Sequence, residues 1–510
     1  MIYFVFYVVI LLINFLYDQL SIEKIFQSRM LIGTNNNTKS FLESPSQISM
    51  ENYKKDKIEK ENSKKTLQNK SENQEFGDYL LIDDACKGIE TIINLFIDDP
   101  ESRGDALFNI LKVFQSFLKN QKVVNIPESF FHFKIMEHLF SIILNNDEIY
   151  EPRHISESII CLSYLYKSES ICSTFISNDL LSIICEMVRD NVFPNILGYL
   201  IEIIRIFIDI DHSLLNLVNS IIPFQFMIET STKNINLIDM FSSYFYDYID
   251  FLKPISPDNQ FEFLKFCSFC YDKKLKKTYQ FNLWSLFLLM TPDSFLLDQF
   301  YALKLNEFVD SAILLKSNTC VYPALLIIQQ FYTLFQLPEN FQIENIIMIP
   351  IRRSELDSDN QALAINTLER AFKYDLDLIV LADKYQLLDY LISNFSEFNY
   401  KMKNAVSSLF MHISTVVGDE FLENLIDNGL LYIYADTLSF TDNKLDILNR
   451  LKAVLDKVSS SPKFGIYLIF LQEEHFQNTL SEIVESETEA SEAAQLLLTM
   501  TNIEDGENLF

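Results

Sequence analysis

The sequence predicts an all-α chain, and three observations carry that prediction. From Phe76 onward apolar residues recur at i, i+3, i+4 and i+7, in segments of about 10 to 16 residues, the spacing of a helix with one buried face. No stretch sustains the period-two alternation of a half-buried strand. Glycine is scarce, with 9 in 510 residues, against a usual share of about 7%. Rossmann sheets, phosphate-binding loops, hydrolase elbows and β-propellers all need glycine at special backbone positions, which this chain can hardly supply. Hydrophobic residues at 49% and charged residues at 22% describe a chain with a large core.

Taken in order, residues 1–32 form an apolar N-terminal segment. Met1 to Tyr17 (MIYFVFYVVILLINFLY) carries no charged side chain, and Asp18 ends the run. Three readings stand. A start codon placed too far upstream would leave Met30 or Met50 to open the chain. A membrane anchor would use a segment near the lower limit of about 17 residues; Lys24, Arg29 and Lys39 on its C-terminal side would then keep the body in the cytosol. A cleaved signal peptide lacks support in a basic leading region or an Ala-x-Ala site. Residues 33–76 are rich in Asn, Ser, Lys and Glu and read as a disordered linker. Within it, residues 51–70 hold seven lysines against four acids, a short basic arm ahead of an acidic body.

Residues 77–510 read as one helical domain. Clear helical segments are 106–118 (ALFNILKVFQSFL), 155–166 (ISESIICLSYLY), 196–208 (ILGYLIEIIRIFI) and 445–458 (LDILNRLKAVLDKV). Breaks fall at Asp99-Pro100, Glu151-Pro152, Phe193-Pro194 and Ser461-Pro462; a proline at the first helical position lacks only an N–H that would have no partner there anyway. The charge-free stretch from Ser317 to Pro338 contains Pro323, Gln329 and Gln330 and reads as a buried core helix, not a membrane span. Seven scattered cysteines fit free, buried thiols in a reducing compartment. Cys267 and Cys270 stand alone as a C-x-x-C pair and read as two small core residues one helical turn apart.

The helices also recur. Around residues 425–438 (LIDNGLLYIYADTL) a short helix, an Asn428-Gly429 break and a second helix are followed by a long helix from Lys444. The same succession can be anchored at Ile89, Ile135, Leu180, Phe224, Leu264, Leu305, Ile347, Leu387, Leu430 and Phe476, with gaps of 40 to 46 residues, about 43 on average. Arrays of two- or three-helix units have that period. The chain resembles the armadillo-like (ARM/HEAT-type) helical repeat family over about 430 residues, best in Asp419–Ser459 and Lys463–Ile503. The resemblance implies a right-handed α-solenoid of about ten repeats. Armadillo units usually place glycine between the first and second helices. Gly88 and Gly429 match; Lys134, Asp179, Gln386 and His475 stand at other such places, which leaves HEAT-like pairs open for the middle units.

The resemblance further implies a non-enzymatic scaffold or adaptor whose concave surface, lined by third helices, holds partner proteins or extended peptides. Candidate lining residues are Glu202, Arg205, Tyr244, Tyr248, Trp284, Gln330, Arg370 and His412. The Trp/Asn ladder of nuclear-import receptors is missing: Trp284 is the single tryptophan, and Leu288 stands one turn later. Lys273, Lys274, Lys276 and Lys277 form a candidate basic patch between two helices. The net charge of −29 disfavours a nucleic-acid partner and favours partners with basic segments. Ten acids and no Lys or Arg follow Lys463, an acidic terminal cap. The six histidines never fall as H-E-x-x-H, and hydrolase, phosphate-loop and kinase signatures are missing, so no enzyme, cofactor, metal or small-molecule substrate is expected. The expected location is the cytoplasm or nucleus. The alternative is a membrane-tethered or transport-associated helical-repeat receptor, which depends on residues 1–17 inserting.

Overall fold

The computed structural model describes residues 86–120, 134–144, 149–252, 254–291, 295–335, 341–352, 356–486 and 488–501. All belong to one compact unit, Leu80–Phe510. The expectations for residues 1–32 and 33–76 lie outside the described residues. Every regular element described is a helix, and no strand occurs among the described residues, as the apolar spacing predicts.

Long helices follow one another as Pro100–Asn120, Pro152–Leu165, Leu197–Ile210, Ile238–Phe251, Tyr279–Leu289, Asn318–Gln330, Ser358–Tyr374, Tyr400–Val416, Lys444–Lys457 and Ser491–Thr501. Each packs on the next in chain order; we call them the inner row. A second row comprises residues 86–98 and helices Ile135–Leu144, Asn178–Arg189, Phe224–Lys233, Pro257–Asp272, Leu305–Ile313, Ile343–Ile351, Leu387–Ser393, Leu430–Phe440 and Glu474–Glu485. Most second-row helices pack against the inner-row helix that follows them. Short helices such as Leu214–Ile221, Asp377–Lys384, Asp419–Asp427 and Phe464–Leu471 connect the two rows. Each anchor of the period, from Ile89 to Phe476, lies in a second-row helix.

Local chemistry explains where the helices begin. Pro152 and Pro257 open their helices, where proline's fixed φ suits the first turn. Ser177, Ser256, Asp357 and Asn399 cap helices by accepting the N–H of Leu180, Asn259, Asn360 and Met402. The Gly429 turn has φ 114°, which glycine tolerates. Lys134, Lys304 and Gln386 make the equivalent left-handed turns, at φ 49°, 56° and 58°, directly ahead of second-row helices. Gly88 differs from its expected place: it lies within the helical residues 86–98, as Asp179 and His475 lie within helices.

The core runs between the rows along the whole described chain as one apolar cluster. Polar links inside it join neighbours about one unit apart in sequence. Buried His154 accepts the Glu151 N–H at Nδ1 and donates from Nε2 to the Gly104 carbonyl at 2.8 Å. Gln260 accepts the Leu296 N–H at 2.9 Å, and both oxygens of Asp310 accept the Gln342 N–H, at 3.2 and 3.3 Å. Pro323 sits inside the Asn318–Gln330 helix, and no helix among the described residues is long and apolar enough to cross a membrane. All seven cysteines are buried and none is in a disulfide. Burial raises the Cys267 thiol well above its ordinary range and pushes Cys270 up to about 12, so both are packed, neutral thiols.

Candidate interaction face of the inner row

The eight predicted groove residues all fall on inner-row helices, but those helices turn them to different sides. Glu202 and Arg205 are half-buried on the Leu197–Ile210 helix. Glu202 pairs with Lys167 at 3.1 Å, and Arg205 pairs with Asp247 of the next inner-row helix, also at 3.1 Å. Trp284 is half-buried, its ring 6.1 Å from Tyr322 on the following inner-row helix. Gln330 is half-buried at the end of its helix, where a π-helical turn, Phe331–Phe335, takes over. Arg370 is exposed and donates to the Thr333 hydroxyl. His412 is half-buried; burial holds its pKa below the usual value, opposed by a hydrogen bond to the Phe372 backbone.

Tyr244 and Tyr248 do not line an open face. They are 0% and 2% exposed. Residues four apart share one helix face, and here that face points at the second row. Tyr248 lies 4.3 Å from Phe224, and its hydroxyl bonds Asn219 and Asn259. Tyr246 and Asp250 are among the less covered residues of the same helix, both half-buried. The lysines of the predicted basic patch are all exposed in the turn after Pro257–Asp272, where Lys274 takes a left-handed φ of 54°.

Sequence reasoning missed the aromatic pairs that bridge neighbouring inner-row helices. Tyr164 and Tyr199 stand 6.1 Å apart and Tyr246 and Phe281 6.3 Å apart, continuing the contact of Trp284 with Tyr322. The available signal was the recurrence of aromatic residues about one unit apart on inner-row segments that are otherwise apolar. Acids accompany them: Glu202 pairs with Lys167, Asp247 pairs with Arg205, and Arg205 also lies near Asp209. Burial pushes the Asp247 carboxyl up to about 6, with Arg205 opposing. Burial also raises Tyr164 to about 12, helped by its hydroxyl neighbour Tyr199. Further along, Glu369 accepts from Ser408, and Arg450 reaches the Met411 carbonyl.

This arrangement sets aromatic rings and carboxylates on consecutive inner-row helices. Among the described residues, no group of three or more His, Cys, Asp or Glu side chains could hold a metal ion.

No protein-family model matches the chain, and no curated protein matches it. Solved structures do. One is the crystal structure of an engineered protein from the Northeast Structural Genomics Consortium, with a TM-score of 0.55 at 10% identity. The match covers 81% of this chain and 98% of that chain. Identity that low speaks for the fold alone: an all-helical architecture of repeat-like form.

Proposed function

We propose that the helical domain is a right-handed α-solenoid of about ten armadillo/HEAT-like repeats acting as a non-enzymatic scaffold or adaptor. Its inner row forms the concave face, which holds partner proteins or extended peptides, those with basic segments above all. The observation that carries the reading is the bridging of successive inner-row helices by half-buried aromatic pairs among acids. The packing of each inner-row helix on the next supports the array, because stacked units supply a core that single short units lack. Location in the cytoplasm or nucleus belongs to the same proposal.

The test is an affinity capture with the full chain, repeated with Tyr199→Ser and Trp284→Ser together. Recovery of a recurrent protein that falls by about tenfold in the variant, with helical circular dichroism unchanged, supports the face. Equal recovery by both proteins rules out this face as the binding site.

A further inference from the structure

The Phe464–Leu471 helix (FGIYLIFL) contains no charged or amide side chain, yet only Tyr467 and Leu471 are buried. Ile466 and Ile469 are 65% and 63% exposed. With Phe470 they occupy i, i+3 and i+4, one continuous stripe on the helix's outer side. Tyr432, itself 55% exposed, extends that stripe: its ring lies 4.1 Å from Phe470. By contrast, the preceding connecting helix, Asp419–Asp427, turns Asp419, Glu420, Asn424 and Asp427 to solvent.

Acids bracket the stripe at both ends. Glu473 accepts the Tyr432 hydroxyl at 3.1 Å, and Glu474 follows it, both exposed. At the other end Asp427 accepts the Tyr467 hydroxyl at 3.2 Å and pairs with Lys463. There a cleft of about 510 Å³ is lined by Glu420, Glu423 and Asp427, with Lys463.

We propose that this stripe docks a basic amphipathic segment of a partner protein, independently of the inner-row face. Its apolar side would cover Ile466, Ile469, Phe470 and Tyr432. Its Lys or Arg residues would meet the acids at either end, about 12 Å apart along an eight-residue helix. Charge chooses this occupant. A second copy meeting isologously would set acids against acids. Residues 502–510 carry Glu504, Asp505 and Glu507, and an anionic lipid surface would be repelled by the same rim.

The test uses the full chain and three synthetic peptides about four helical turns long: an amphipathic Leu/Lys helix, its Leu/Glu counterpart and a Lys/Ser peptide without apolar residues. All native cysteines are buried, so an environment-sensitive dye on the Ile469→Cys thiol reports directly on the stripe. The proposal expects a saturable dye response to the Leu/Lys peptide. With unlabelled protein, anisotropy of labelled peptide should show about tenfold weaker binding for Ile466→Ser/Ile469→Ser and for the Leu/Glu and Lys/Ser peptides. Unchanged binding by the double variant overturns it, as does Leu/Glu binding of equal strength or a silent dye. Two further outcomes would replace the occupant: dimerisation abolished by the double variant, or binding that appears only after residues 502–510 are removed.

Discussion

Left-handed backbone at non-glycine residues is the clearest residue-scale cost in the fold. Lys304 and Gln386 hold φ of 56° and 58° at turns where Gly429 holds 114°, and an L-residue pays about 1 to 2 kcal/mol there. Lys304→Gly and Gln386→Gly should therefore raise stability by up to about 1 kcal/mol in urea unfolding. Gly429→Ala should lower it by about 1 to 3 kcal/mol, since its new Cβ would also lie 3.2 Å from Ile392. Asp310 gives a pH-dependent case. It is 7% exposed, and burial pushes its carboxyl up from 3.8 to about 6. The folded state then binds the proton more tightly than the unfolded chain, so this group's contribution is fully present below pH 3.8 and lost as pH rises through about 6. Asp310→Asn keeps an acceptor for the Gln342 N–H and removes that loss. Its stability relative to wild type should improve by about 1 kcal/mol between pH 5 and pH 8, measured by urea unfolding at both; a pH-independent difference would mean the carboxyl titrates normally. At this scale the sequence was least legible. Tyr244 and Tyr248 and their neighbour Tyr246 are alike in type, and only the helix's rotation decides which is core.

Helices were far more legible than side-chain directions, because burial of one face writes a period into many residues at once. The segments 155–166 and 445–458 became Pro152–Leu165 and Lys444–Lys457, shifted by one to three residues at their ends. Caps supply the missing detail: Pro152 and Glu151 start the first of these before its apolar period begins. Gly88 shows the limit of reading a turn from one residue type, since the geometry was met elsewhere by Lys134 and Gln386. Where a side chain caps a long inner-row helix, its removal should be measurable. Asn399 accepts the Met402 N–H at 3.0 Å, so Asn399→Ala should cost about 1 kcal/mol, while Asn399→Ser should recover most of it. Equal losses in the two variants would show that the capping oxygen contributes nothing.

Across the whole molecule, the anchors spaced about 43 residues apart on average all fall in second-row helices, yet which side chains those helices leave uncovered stayed hidden. Packing repeats because every unit must bury the same kind of surface; binding residues obey no such rule and need not repeat. The array reading has a mechanical consequence that an ordinary globule lacks. If each unit contacts only its neighbours, stability is a sum of local terms, and damage stays local. Leu480 is fully buried in the Glu474–Glu485 helix, and Leu480→Ala should remove about 2 to 5 kcal/mol of packing. Hydrogen exchange should then accelerate through Lys444–Lys457, Glu474–Glu485 and Ser491–Thr501, while Ile238–Phe251 and Tyr279–Leu289 keep their protection. Leu283→Ala, at a fully buried inner-row position, should reverse the pattern, weakening the middle and sparing the C-terminal helices. The comparison separates the two architectures because both substitutions remove the same side chain from equally buried sites. Acceleration spread evenly over every helix in both variants would identify one cooperative core and end the solenoid reading.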